Sequence, residues 1–242
     1  AARFGRPTPA ERASKASLAP NAFLRVGADD SITVILGKSE MGQGVWSSLP
    51  TVVAEELDVD PAVVKVELAA ADPAFFSPPF PTQITGGSSS MRTMYEPLRR
   101  TGATARAMLI AAAAQRWGTD ASKLTTTKGV VTDGTNRARY GELVAAATKL
   151  APPGNVALKD PKDFRYLGKT TVRRLDAPAK VNGSAQFGLD VRLPGMLFAM
   201  VARSPVFGGT VTGFDDQAAR AVPGVVAVKQ VPSGVAVIAT NT

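Results

Sequence analysis

The stretch "SITVILGKSEMGQGVWSSLPTVVAEELDVD", Ser31 to Asp60, sets the fold. Its first six positions after Ser31, ITVILG, read as a strand, and the run ends near two glycines around one glutamine: Gly42, Gln43 and Gly44. Val45, Leu49, Val52, Val53 and Leu57 then recur at helical spacing, which predicts a helix over Gln43 to Leu57. Pro50 removes one hydrogen bond within it and predicts a bend. "AVVKVEL" follows as a further strand. A helix that opens on Gly-Gln-Gly raises a question, because glycine costs helix stability and glutamine caps poorly.

Working outward, "NAFLRVGADDSITVILG" reads as a hairpin turning at Asp29-Asp30-Ser31, so the order is strand, strand, helix, strand. Residues 70 to 92 form a long loop of Pro, Phe, Gly and Ser, a length that is uncommon inside a compact domain and often functional. An Ala- and Gly-rich helix is predicted from about Arg92 to Trp117, suited to close packing. "GVVTDGTNRARY" predicts a second hairpin at Asp133-Gly134, and "YGELVAAATKL" a short helix. Residues 151–170 read as a linker. Beyond them "AQFGLDV", "MLFAMVARS", "GTVTGFD", "GVVAVKQV" and "GVAVIAT" are strand-like around one short helix, Asp216 to Val222. The expected organisation is an extended arm over 1–21, a first domain over 22–150, the linker, and a strand-rich module over 171–242.

The 242 residues are 45% hydrophobic and 20% charged, enough apolar material for a core in one or two domains. No apolar stretch reaches the length of a membrane span. There is no cysteine, which excludes thiolate nucleophiles, zinc–cysteine sites and iron–sulfur clusters on this chain. There is no histidine, which removes the usual general base. Chemistry therefore falls to Asp, Glu, Lys, Tyr or Arg, or to a bound cofactor. The net charge of +8 favours an anionic partner, but the basic residues are scattered without interleaved aromatics, which argues against nucleic acid. The Ala-, Pro- and Ser-rich start has no hydrophobic segment, and its leading Ala-Ala would suit the end left by a small-residue cleavage site in an exported precursor.

Two stretches could carry binding. A helix start exposes unpaired N–H groups and a positive dipole end, and glycines let a ligand approach the backbone. On this reading Gly42, Gln43 and Gly44 offer free amides; read alone, they are also no more than a tight strand–helix turn. "TGGSSSMR", Thr85 to Arg92, brings consecutive amides, three hydroxyls and an arginine to another helix start, as an anion nest or as a flexible serine loop. The two together would cradle something anionic, flat and rich in acceptors. No P-loop, GxGxxG or GxSxG signature is present. Glu55 and Glu56 read as a solvated face or a salt bridge. Met41 reads as core packing or a backbone donor, and Asp176, Lys180 and Asp190 as turn-fixing residues.

"GKSEMGQGVWSSLPTVVAEELDVDPAVVKVE" followed by "TGGSSSMR" resembles the molybdopterin-binding large subunit of the molybdenum hydroxylases, the xanthine dehydrogenase and aldehyde oxidase family. Within it, the sequence is most similar to the branch of isoquinoline 1-oxidoreductase beta subunits and bacterial membrane-associated aldehyde dehydrogenases. "RRLDAPAKVNGSAQFGLDVRLPGMLFAMVARSPVFGGTVTGFD" and "PGVVAVKQV" resemble that family's α/β hammerhead domain. The resemblance implies an α+β fold: part of a molybdopterin-binding domain, a mixed sheet with helices, followed by an incomplete hammerhead. It gives Met41, Gly42, Gln43 and Gly44 contacts to the pyranopterin. It gives Gly87, Ser88 and Ser90, with Ser89 and Arg92, contacts to the pterin or its phosphate. No catalytic or metal-ligating residue is carried over.

The implied cofactor is molybdopterin cytosine dinucleotide, with 2Fe-2S clusters on a partner chain. The implied partners are the remainder of the large subunit, an iron–sulfur subunit, a cytochrome c and a small-molecule substrate, an aldehyde or an N-heteroaromatic compound. A periplasmic or membrane-associated location is expected, with a cytoplasmic one as the alternative. The family's catalytic glutamate in a Gly-x-Gly-Glu motif and its GGFGG-type loop have no counterpart here. The chain thus reads as one part of a large subunit: truncated, cleaved, or one chain of a split subunit. Two other classes remain, a noncatalytic scaffold with an empty pterin loop and a basic surface-binding protein.

Overall fold

The structure is a computed structural model that describes residues 17–76, 79–170 and 172–242. Four strands, β1 (Ser17–Asn21), β2 (Leu24–Gly27), β3 (Ile32–Leu36) and β4 (Val64–Leu68), form a mixed sheet in that order. β1, β2 and β3 pair antiparallel, while β4 runs parallel to β3 from Ile32↔Val64 to Leu36↔Leu68. The β2–β3 hairpin turns as expected: Asp30 takes a left-handed φ of 63°, and the Asp29 carboxylate accepts from the Ser31 amide. β1 lies within the segment expected as an arm. Leu18 is buried there, and Asn21 donates to Thr101 Oγ1 at 2.7 Å, so residues 17–21 belong to the sheet.

The parallel pair needs a crossover, and helix α1 (Val45–Leu57) supplies it. Leu49, Val52, Val53 and Leu57 are fully buried on it, as their spacing predicts. The long helix α2 (Ser89–Trp117) packs against α1 through Gly102. A Cβ at Gly102 would stand 2.6 Å from the Val53 carbonyl oxygen and 2.9 Å from Glu56 Cβ, so the small residue sets the approach of the two helices. A second sheet, β5 (Thr125–Thr127), β6 (Val130–Thr132) and β7 (Arg137–Arg139), is antiparallel throughout. Helix α3 (Tyr140–Ala147) follows, and the buried Tyr140 hydroxyl donates to Leu57 O at 2.7 Å.

Residues 151–170, expected as a linker, do not hang free. Lys159 and the backbone amides of 165–167 are bound by carboxylates at the end of α1. Chain contacts divide the molecule into two compact units between Gly183 and Ser184. Residues 172–183, including the short helix α4 (Ala177–Val181), therefore lie with the first unit and not with the strand-rich module.

The second unit has one antiparallel sheet of β8 (Phe198–Ala202), β9 (Val225–Val231) and β10 (Gly234–Ala239) in the order β8-β10-β9. A helix of four residues, α5 (Gln217–Arg220), precedes β9. The strands expected over 185–191 and 209–215 are absent. In the first, Asp190 accepts from the Phe187 amide and closes a 3-10 turn over Gly188–Asp190; the second finds no strand partner. Many apolar side chains of this unit face outward, among them Phe207, Leu189 and Met200. No described helix is long and apolar enough to cross a membrane.

Candidate functional site

The turn between β3 and α1 is built on two glycines in the left-handed region, Gly42 at φ 96° and Gly44 at φ 84°, the latter as the N-cap of α1. No side chain at the cap position satisfies the helix start. Glu40 does so from four residues upstream. Its carboxylate accepts from the amides of Gly42 (2.8 Å), Gly44 (3.0 Å) and Trp46 (3.1 Å). Burial alone would raise the Glu40 pKa, but those three amides outweigh it and hold the group below its ordinary 4.5. Gln43 folds back on its own turn, Oε1 accepting from the Met41 amide at 2.6 Å and Nε2 donating to Ser39 O at 2.9 Å.

This corrects the expectation of free amides at Gly-Gln-Gly. The Gly42, Gly44 and Trp46 amides are taken by an internal carboxylate, and the Met41 amide by Gln43. Met41 is therefore neither a free backbone donor nor a core residue, since the residue is 67% exposed. What the turn presents is an open peptide face: a Cβ at Gly42 or Gly44 would meet nothing within 4 Å.

The start of α2 has a similar backbone with a different electrostatic state. Gly87 (φ 57°) and the N-cap Ser88 (φ 52°) are both left-handed, with no side-chain cap. Ser89 is buried, its hydroxyl donating to Gly86 O at 2.7 Å and its amide to the same oxygen. Gly86, Gly87, Ser88 and Arg92 are exposed, Ser90 is half-buried, and Arg92 makes no ion pair among the described residues. A Cβ at Gly86 or Gly87 would again meet nothing within 4 Å.

The two turns are tied together ahead of their helices. The Ser39 amide donates to Thr85 Oγ1 at 2.9 Å, and the buried Lys38 ammonium donates to Ile84 O at 2.8 Å. Burial pushes the Lys38 pKa down from its ordinary value. A cleft of about 350 Å³ lies at this junction, lined by Ser39, Met41, Gln83 and Thr85 among others. A second, of about 250 Å³, opens at the start of α1 beside Ser47, Ser48, Met91 and Arg173.

Sequence reasoning missed two members of this site. Arg174 donates to Gly42 O at 2.8 Å and to Glu40 at 3.2 Å, and forks onto Asp176 at 3.0 and 2.9 Å. Asp176, expected to fix a turn, instead anchors Arg174 and Lys180. Arg174 and then, against burial, Lys180 hold its carboxyl far below the usual range. Glu40 had one sequence signal, an acidic residue just before a glycine pair that lacks a capping side chain. Arg174 had none, because its partners in the turn, Gly42 and Glu40, lie more than 130 residues away.

Glu55 and Glu56 form the salt bridge that was one of their two readings, but no solvated face: both are completely buried. Glu56 binds Arg99 at 2.6 Å. Glu55 accepts from the amides of Arg165, Tyr166 and Leu167, and Asp58 accepts from Lys159 at 2.6 Å and Arg106 at 3.2 Å. Burial would raise both Glu55 and Asp58. The Tyr166, Arg165 and Leu167 amides with Lys159 at Glu55, and Lys159 with Thr126 and Arg106 at Asp58, outweigh it and pull both below their ordinary 4.5 and 3.8. A carboxylate depressed in the folded state adds stability above its unfolded pKa, and that stability is lost as pH falls through the folded value. Urea denaturation is therefore expected to show a plateau down to about pH 5 and a decline below it. Glu55→Gln should lower the plateau and flatten the decline. A wild-type stability unchanged between about pH 5 and 3 would refute this coupling.

Residues 4–187 match the family model described as the molybdopterin cofactor-binding domain. The chain is 39% identical over 262 residues to the beta subunit of isoquinoline 1-oxidoreductase from Brevundimonas diminuta, covering 93% of this chain and 33% of that protein. It is 31% identical to a nicotinate dehydrogenase subunit of Pseudomonas putida, covering 90% of this chain and 19% of that one. It is 29% identical to the membrane-bound aldehyde dehydrogenase (pyrroloquinoline-quinone) of Gluconacetobacter polyoxogenes, covering 86% and 27%. The chain thus spans a third or less of the length of these relatives. The family match over most of the chain and these identities agree: the chain belongs to the molybdopterin cofactor-binding domain family.

Proposed function

We propose that this chain holds the pterin end of a molybdenum cofactor within the large subunit of a hydroxylase acting on aldehydes or N-heteroaromatic compounds. The observation that carries the reading is the pair of tied turns, at Met41–Gly44 and Gly86–Ser90, whose glycines open onto unfilled space at the starts of two packed helices. A flat heterocycle could lie against such faces without meeting a side chain. The residues of this chain fit the group with a division of labour. The Gly42–Gly44 turn offers peptide surface and the Gln43 edge, Gly87, Ser88 and Arg92 offer exposed donors and Ser90 a half-buried one, while Ser89, its amide and hydroxyl both bound to Gly86 O, shapes the turn from within.

The cofactor, when bound, supplies the two-electron chemistry. This chain supplies binding and orientation. It has no histidine or cysteine, and Glu40, the carboxylate bound into the first turn, is kept ionised by three amides and an arginine. No proton carrier is therefore offered by Glu40.

The cytosine dinucleotide form of the cofactor, an iron–sulfur subunit with 2Fe-2S clusters, a cytochrome c acceptor and the remainder of the large subunit complete the reading. Outward-facing Phe207, Leu189, Met200 and Val206 support a covering polypeptide on the second unit. The second unit is read as an incomplete α/β hammerhead. The name of the Gluconacetobacter relative, a membrane-bound enzyme, and the leading Ala-Ala support a periplasmic or membrane-associated location.

A scaffold with an empty pterin loop is the competing reading, favoured by the self-satisfied amides of the first turn. Gly42→Ala and Gly87→Ala separate the two. Each adds one methyl to the open face at a strain of about 1–2 kcal/mol, which the fold should tolerate. Molybdenum content of the assembled enzyme, measured by mass spectrometry, is expected to fall at least about tenfold, the equivalent of 1.4 kcal/mol of binding. Full loading in both variants would favour the scaffold.

A further inference from the structure

Three successive peptide units of the first turn are each held by a different bond. The N–H of Gly42, in the Met41–Gly42 unit, donates to Glu40. The C=O of Gly42, in the Gly42–Gln43 unit, accepts from Arg174. The N–H of Gly44, in the Gln43–Gly44 unit, donates to Glu40 again. Both glycines have positive φ, a region glycine tolerates but does not select over its alternatives, so the turn itself has no conformational preference strong enough to fix these planes.

We propose that Glu40 and Arg174 are positioning residues that set the peptide planes of Met41–Gly44 before any ligand arrives, Glu40 acting as the counter-anion of the α1 start. Arg174 is itself oriented by its fork onto Asp176, and the strap carrying it is fastened to α1 where the Leu175 amide donates to Ser47 Oγ at 2.9 Å. The turn is thus shaped by a segment more than 130 residues downstream. A second consequence concerns selectivity. The amides of the α1 start are already taken by a carboxylate that is 9% exposed and paired with Arg174, so a phosphate or other anion finds those donors occupied. The bound face of this turn is neutral.

The proposal rests on the cofactor reading for its functional consequence, but its geometry is testable without cofactor. Amide exchange of the full 242-residue chain, followed by NMR, compares wild type with Glu40→Gln and Arg174→Ala. Exchange at Gly42, Gly44 and Trp46 is expected to accelerate at least about tenfold in Glu40→Gln, while Val53 in the α1 core stays protected. Glu40→Asp, which keeps charge but shortens reach, is the second variant and should speed Trp46 first. In the assembled enzyme the same variants should change the shape of the Mo(V) electron paramagnetic resonance signal in the molecules that retain metal, which loss of stability alone would not do. Unchanged exchange at all three amides would overturn the proposal. So would faster exchange with wild-type molybdenum content and signal shape. If Gly42→Ala and Gly87→Ala keep full metal, the cofactor reading falls, while the exchange result still decides whether Glu40 and Arg174 shape the turn.

Discussion

Glu56→Ala is expected to destabilise the protein by about 3–5 kcal/mol, the cost of removing one partner from a buried ion cluster. Glu56 is fully buried and receives Arg99 through Nε at 2.7 Å and Nη2 at 2.6 Å, with Arg106 at 3.7 Å and the Lys159 amide at 3.2 Å. Deleting the carboxylate leaves an Arg99 side chain only 10% exposed, with Lys159 O and the Tyr95 and Phe164 rings as company. None of these neutralises a cation. The desolvation penalty of the orphaned guanidinium is what makes the effect large; the lost Coulomb term alone would be smaller. Urea denaturation with an unchanged slope and a lowered midpoint is the measurement. A loss below about 1 kcal/mol would mean that Arg99 escapes to solvent when its partner goes. Replacing Glu56 and Arg99 together by apolar residues of similar volume should recover part of the loss, since a buried pair is weak net stabilisation but expensive to break.

Gly102→Val is the second large effect, about 3 kcal/mol, at the upper end of the usual cost of overpacking. The added Cβ alone would lie 2.6 Å from the Val53 carbonyl oxygen and 3.4 Å from the Leu57 amide nitrogen. These are backbone atoms of α1 and cannot rotate away, so the two helices must separate. Their separation would also lengthen the Arg99–Glu56 contact, which spans the same junction. Gly154→Ala is the matched control, because nothing lies within 4 Å of its Cβ position and its stability change should stay within about 0.5 kcal/mol. Thermal melts of both variants decide the matter: equal melting temperatures would show that the α1–α2 junction has slack.

The parts of this fold that could be read from sequence are those whose signal is local. The spacing of Leu49, Val52, Val53 and Leu57 marks α1, and the Asp-Asp-Ser turn marks the β2–β3 hairpin, because each is decided within a dozen residues. β1 escaped since "SLAPN" carries a proline and little alternation; its strand character comes from the partner β2. The expected strands over 185–191 and 209–215 failed for the converse reason. Phe187 and Leu189 alternate with small residues, yet no neighbouring strand pairs with them, and both stay exposed. At the candidate site the glycines were visible as residues that let a ligand approach the backbone, and the serines as hydroxyl donors. The occupancy of their amides was not, because it depends on where the Glu40 carboxylate turns and on Arg174. The same holds for Glu55, whose partners at 165–167 lie some 110 residues along the chain.

The docking of Lys159 and the 165–167 amides onto the end of α1 carries an evolutionary consequence. Asp58 receives the Lys159 ammonium, and Glu55 receives the chain again at Tyr166, so the spacing between those two residues is fixed by the distance between two carboxylates on neighbouring turns. An insertion or deletion there would slip the amides out of register with their acceptors. Residues 151–155 are exposed and touch no such acceptor. Natural variation in length should therefore accumulate before position 156 and be purged between 159 and 167.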